Sequence, residues 1–167
     1  MHVISAGLSV TLHSIEEIDL EARELLTQAI HVRRNAQMPY SSYRVGAALS
    51  TAGHSVHVGC NVERRSHSQT THAEQNAIDT MVAKDGAGTK ISAIAFIAAP
   101  AQQEIAMPHR TDTDPPADLS GIEMPCGHCR HCIWENSGKD PSVRIITMLP
   151  DRWIAITTIG DIYPMPF

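Results

Sequence analysis

Two short segments far apart in the chain, Thr71-His72-Ala73-Glu74 and Pro125-Cys126-Gly127-His128-Cys129, constrain the fold more than any other feature of the sequence. One His and two Cys are ligands of the kind zinc takes, and such a set leaves a fourth position for water, whereas a structural zinc is usually closed by four protein groups. A Glu two residues after the His is placed to move that water's proton. For the set to form, the two segments must meet in space. Spacing of i, i+3 on a helix lets Cys126 and Cys129 reach one metal, and the unpaired N–H groups of a helix start favour their thiolates. The sequence therefore predicts a helix from about Thr71 to Ala83, carrying His72 and Glu74 in its first turn. It predicts a second helix starting near Cys126.

Each half has a plainer alternative. Thr71-x-x-Glu74 ahead of Ala77, Ile78 and Met81 fits a capping box, in which Glu74 serves only the backbone. C-x-x-C also serves structural zinc and redox pairs, and Cys132 extends it to C-x-x-C-x-x-C, an iron–sulfur spacing. The iron–sulfur alternative lacks a fourth cysteine at useful spacing, since Cys60 lies far upstream in a strand-like run. A redox pair leaves His72-Ala73-Glu74 unexplained. Cys132 sits about 240° around the helix from Cys126, so it should face away from the metal and into the core.

The rest of the chain suits one small domain spanning 1–167, with 43% hydrophobic residues. A net charge of −5 gives no basic footprint for nucleic acid. Three of the four cysteines crowd into one segment, which suits metal ligands in a reducing compartment better than a disulfide framework. No stretch is long and apolar enough to cross a bilayer and the first residues lack the pattern of a signal peptide, so cytoplasmic residence is expected. Ser14-Ile15-Glu16-Glu17 is a candidate capping box for a helix with Ile18, Ala22, Leu25, Leu26, Ala29 and Ile30 on one stripe. Tyr43 to Ser50 and Ser55 to Val62 read as a hairpin. Ile91 to Ala98, Val143 to Leu149 and Trp153 to Ile159 complete an α/β unit of about five strands with helices packed against them.

H-x-E followed by P-C-x-x-C is the zinc deaminase signature, and the chain resembles the cytidine deaminase family well beyond it. Met38-Pro39-Tyr40-Ser41-Ser42-Tyr43-Arg44-Val45-Gly46-Ala47-Ala48-Leu49 is similar to that family's P-Y-S-x-F-x-V-G-A-A-L, with Tyr43 where Phe is usual. Gly59-Cys60-Asn61-Val62-Glu63 resembles its G-x-N-x-E, and Ile162-Tyr163-Pro164-Met165-Pro166-Phe167 its C-terminal L-L-P-x-x-F. The resemblance implies a three-layer α/β/α fold and Zn²⁺ on His72, Cys126 and Cys129. It implies Glu74 as the catalytic acid and base in a hydrolase that converts cytidine or deoxycytidine to the uridine form with loss of ammonia. Asn61 and Glu63 would hold the ribose, Tyr43 would form an aromatic wall, and Ala73 would contact the substrate. The small-molecule partner is thus a nucleoside in pyrimidine salvage. A homotetramer, with a dimer as the alternative, is implied too, in which Phe167 reaches a neighbouring subunit's site.

Three departures bear on the substrate. His72 and Gln75 stand where short family members often carry Cys and Arg, and a neutral His with two thiolates leaves a neutral zinc core that needs no Arg. Arg64 and Arg65 follow Glu63 where small or apolar residues are usual, so they either face solvent or meet an anionic substrate. The Pro- and Asp-rich segment 99–124 exceeds the family's connection and is a lid or a mobile loop. Alternatives to cytidine are a modified cytosine nucleoside or a blasticidin-type antibiotic, a cytosine in nucleic acid, and a non-catalytic zinc-stabilised module. Retention of Glu74 opposes the last, and the acidic balance opposes nucleic acid.

Overall fold

A computed structural model of the chain describes residues 8–110, 113–119, 121–164 and 166. Its elements are β1 (Thr11–His13), α1 (Leu20–Arg33), β2 (Tyr43–Thr51), β3 (Val56–Cys60), α2 (Ala73–Asp85), β4 (Ile91–Pro100), α3 (Gly127–Asn136), β5 (Arg144–Met148), β6 (Ile154–Thr158) and α4 (Ile159–Ile162). One six-stranded sheet runs in the order β1-β6-β5-β4-β2-β3. β4 and β5 are parallel, joined by the long connection and α3, and every other pairing is antiparallel. Five of these strands match the expected runs. The sixth, β1, is three residues long at the sheet edge, too short to show alternation.

The start of α1 differs from the expected one. Ser14 N–H does donate to Glu17 Oε2 at 2.8 Å, half of the anticipated box, but this closes an isolated turn. The helix begins later because Asp19 Oδ1 accepts from Ala22 N–H at 2.7 Å, relieving one of the orphan donors of the first turn. From there the period holds: Ala22, Leu25, Leu26, Ala29 and Ile30 are buried against Ala48, Ala95, Ile146 and Ile154 on one face of the sheet. Burial of each Leu contributes about 1.5–3 kcal/mol. On the opposite face Ala77, Ile78 and Met81 of α2 and Ile133 of α3 pack on Ala47, Leu49, Phe96 and Ile145. The result is the three-layer α/β/α arrangement.

Two details set the position of the site. Gly59 of β3 lies under α2, where an added Cβ would stand 2.3 Å from Ala77 N and 2.5 Å from Ala73 O, so only glycine lets helix and strand approach this closely. Arg33, at the end of α1, is 3% exposed. Its guanidinium donates to the carbonyls of Arg44, Ala99, Pro100 and Gln103, pinning the start of β2, the end of β4 and the first turn of the long connection to one another.

Candidate active site

Both helices of the second face start on a candidate ligand. His72 is the N-cap of α2 and Cys126 the N-cap of α3, each with extended backbone. His72 Nδ1 lies 3.4 Å from Cys126 Sγ and 3.3 Å from Cys129 Sγ. Tetrahedral ligands bonded at zinc distances stand roughly 3.5 Å apart, so these three atoms are spaced for one zinc ion. Among the described residues this is the one His/Cys/Asp/Glu group so arranged, and Cys132 is outside it.

The electrostatics point the same way. Cys129 is fully buried. Burial first, then the charges of Glu74 and Cys126, push its thiol well above the ordinary range. The partial positive charge of the helix start acts against that burial. A divalent cation removes the conflict, because ligation deprotonates a thiol outright.

Glu74 is freed for other use by a shift of one residue in the cap. Gln75 Oε1, not the Glu74 carboxylate, accepts from the N-cap N–H, that of His72, at 3.0 Å. Glu74 is 6% exposed and lines a cavity of about 240 Å³. Gln75 also meets His128, whose Nε2 is 3.6 Å from Cys132 Sγ, so Cys132 belongs to a half-buried layer behind the ligands. Arg130 fixes the start of α3 by donating to Pro125 O at 2.7 Å and to Ile162 O at 3.0 Å, a role the sequence did not reveal.

The cavity brings together Tyr43, Asn61, His72, Ala73, Glu74 and Cys126. Sequence reasoning missed Thr70, Phe96, Met124 and Glu123, which also line it. Asn61 is fastened to β2: its Oδ1 accepts from Val45 N–H at 2.8 Å and its Nδ2 donates to Tyr43 O at 3.0 Å. Glu63 does not line the cavity. Its Oε2 accepts from the N–H groups of Tyr40 and Ser41 at 2.9 and 3.2 Å, and with the Ser41 side chain these hold its carboxyl below the usual range. Arg64 and Arg65 are exposed and also stand outside the lining, and Phe167 lies outside the described residues. Tyr43 O–H donates to Glu123 Oε1 at 2.9 Å; burial, then that carboxylate, raises the phenol to about 12. Tyr43, Ala98 and Glu123 also line a second cavity of about 200 Å³ beneath the long connection.

No helix among the described residues is long and apolar enough to cross a membrane. The family model described as the cytidine and deoxycytidylate deaminase zinc-binding region matches residues 20–140. A cytidine deaminase of Sporosarcina psychrophila is 29% identical over 148 residues, covering 89% of this chain and 92% of that protein. One from Halalkalibacterium halodurans is 30% identical, over 89% of this chain and 95% of its own length. The crystal structure of cytidine deaminase from Burkholderia pseudomallei superposes with a TM-score of 0.65 at 30% identity, covering 87% of this chain and 98% of that one.

Proposed function

The chain belongs to the cytidine and deoxycytidylate deaminase family, and from that premise we propose that it hydrolyses cytidine and deoxycytidine to uridine and deoxyuridine, releasing ammonia. The observation that carries this is the convergence of His72, Cys126, Cys129 and Glu74 at one end of one cavity.

His72, Cys126 and Cys129 would hold the zinc. Bound there, it supplies the Lewis acidity that makes water a nucleophile near neutral pH. Glu74 does the proton work. Its carboxylate takes a proton from the attacking water as oxygen adds to C4 of the ring and gives it to N3. It then takes the proton of the new C4 hydroxyl and delivers it to the amine, which leaves as the C4–N bond breaks and the C4 carbonyl forms. One water enters and one ammonia leaves, so the carboxylate ends as it began. Burial of Glu74 suits this cycle, because a carboxyl that changes its protonation state in each turnover benefits from exclusion of bulk water.

Ala73 borders the base and Tyr43 forms the wall beside it. Asn61 serves the sugar end, where it also orders the start of β2 that carries Tyr43, and Glu63 holds the Tyr40–Ser41 segment along that border. The active form is a homo-oligomer, a tetramer, with Phe167 at a neighbouring copy's site, and it acts in the cytoplasm in pyrimidine salvage. The family resemblance supports the assembly, and the free cysteines support a reducing compartment.

Elemental analysis of the purified protein, together with ammonia release from cytidine, deoxycytidine, cytosine, cytidine monophosphate and blasticidin S, tests the proposal. About one zinc per chain and turnover of the two nucleosides are expected. Full turnover after complete metal removal, or release from blasticidin S alone, overturns it.

A further inference from the structure

The far end of the pocket carries a charge that the reaction does not use. Among the described residues, the ionisable side chains lining the cavity are, apart from His72, Tyr43, Cys126 and two carboxylates, Glu74 and Glu123, with no Lys or Arg. Glu74 sits at the metal end beside Cys129. Glu123 is exposed and marks the border with the second cavity, so it faces whatever leaves the pocket on that side. Tyr43 links Glu123 to the sugar end: the Tyr43 carbonyl accepts from Asn61 and the Tyr43 hydroxyl donates to Glu123. In the pose proposed above, with the base at the metal ligands and the sugar at Asn61, the Tyr43–Glu123 pair lies on the side where the sugar leaves the pocket, and the 5′-group is assigned to that side. Of the nearby cations, Arg33 is buried among four carbonyls and Arg64 and Arg65 stand outside the lining, while Arg152 lines the second cavity together with two carboxylates, Glu104 and Glu123.

Resting on the nucleoside deaminase assignment above, we propose that Glu123 is a specificity-determining residue that reads the charge of the substrate's 5′-group, rejecting a phosphate and favouring a neutral or cationic substituent. The family takes both nucleosides and nucleotides by its description, so its members need a local feature that separates them. An anion brought against a carboxylate loses affinity, the two carboxylates on this side outnumber the single Arg152, and such a repulsive element is an economical source of specificity. Because Glu123 is exposed, solvent weakens the effect to a moderate one.

The test compares kcat/KM of the zinc-loaded protein for cytidine, cytidine 5′-monophosphate and 5′-amino-5′-deoxycytidine, before and after Glu123→Gln. Gln keeps an oxygen to accept the Tyr43 hydroxyl, so the change is mainly one of charge. The ratio for monophosphate over cytidine should rise at least about tenfold, and that for the amine over cytidine should fall. In the unaltered protein, raising ionic strength from about 0.05 to about 0.5 M should lift the monophosphate ratio by screening, a measurement that needs no variant to fold. Ratios that stay fixed while all three rates fall together would make Glu123 a structural support and overturn the proposal, as would a monophosphate ratio indifferent to salt. Zinc-loaded protein that turns over none of the three instead overturns the nucleoside assignment itself, and this inference with it.

Discussion

The two ends of the pocket are built in opposite ways. At the metal end, candidate groups stand on the first turns of α2 and α3, and both helices pack their apolar sides onto the same sheet face. At the rim, Tyr43 opens a strand and Glu123 comes from the long connection, with one hydrogen bond between them. Chemistry that must hold a proton donor within hydrogen-bond reach of a reacting atom is placed where backbone and core are both fixed. Recognition of a substituent, which tolerates small displacements, is left to side chains on less constrained backbone.

The contrast is broken most directly at Glu74. Glu74→Gln should lower kcat by about 10²–10⁴ with zinc content and melting temperature unchanged. A melting temperature that drops while kcat holds would move Glu74 from chemistry to capping. Next comes Asn61→Ala, which strands the Val45 N–H and the Tyr43 carbonyl; removing these partners should cost about 1–3 kcal/mol in denaturant unfolding and raise KM for cytidine together. A KM effect without a stability effect would sharpen the comparison, making Asn61 a sugar contact first and a strand support second. Tyr43 gives a smaller signal through pH. Its phenol is raised to about 12 when folded, so the stability it contributes is complete below the ordinary tyrosine value near 10 and is lost as pH climbs from there through the folded value. Melting curves across that alkaline range should fall less steeply in Tyr43→Phe. Smallest of all is Cys132→Ser, for which elemental analysis should find the zinc content unchanged.

The same contrast governs what could be read from the sequence. Ligand type and spacing declare a metal end because few residues bind zinc and few spacings reach it, and His72, Cys126 and Cys129 do converge. The cap was legible only to within one residue. Thr71-x-x-Glu74 and His72-x-x-Gln75 have identical spacing, and His is not a preferred N-cap, so local pattern favours the wrong pair. Likewise Ser14-x-x-Glu17 has the form of a helix start, yet Asp19 takes that place. Of the rim, sequence reasoning reached Tyr43 but not its partner. Glu123 meets Tyr43 across 80 residues from a segment without periodicity, so no local signal joins them. Glu63 shows a different limit: its carboxylate is occupied by two backbone N–H groups, partners that no side-chain pattern advertises.

The glycine beneath α2 has a consequence for how such a chain can vary. Gly59 contacts no candidate ligand, yet it sets the clearance between β3 and the helix that carries His72 and Glu74. A single methyl there must displace backbone, and the displacement is delivered to the chemistry as a tilt of its support. Substitutions on the pocket wall can be explored one at a time, each with its own small effect. Gly59→Ala moves two functional groups at once without altering either, so natural variation and directed evolution alike should find this position closed while the far more exposed rim stays open to change.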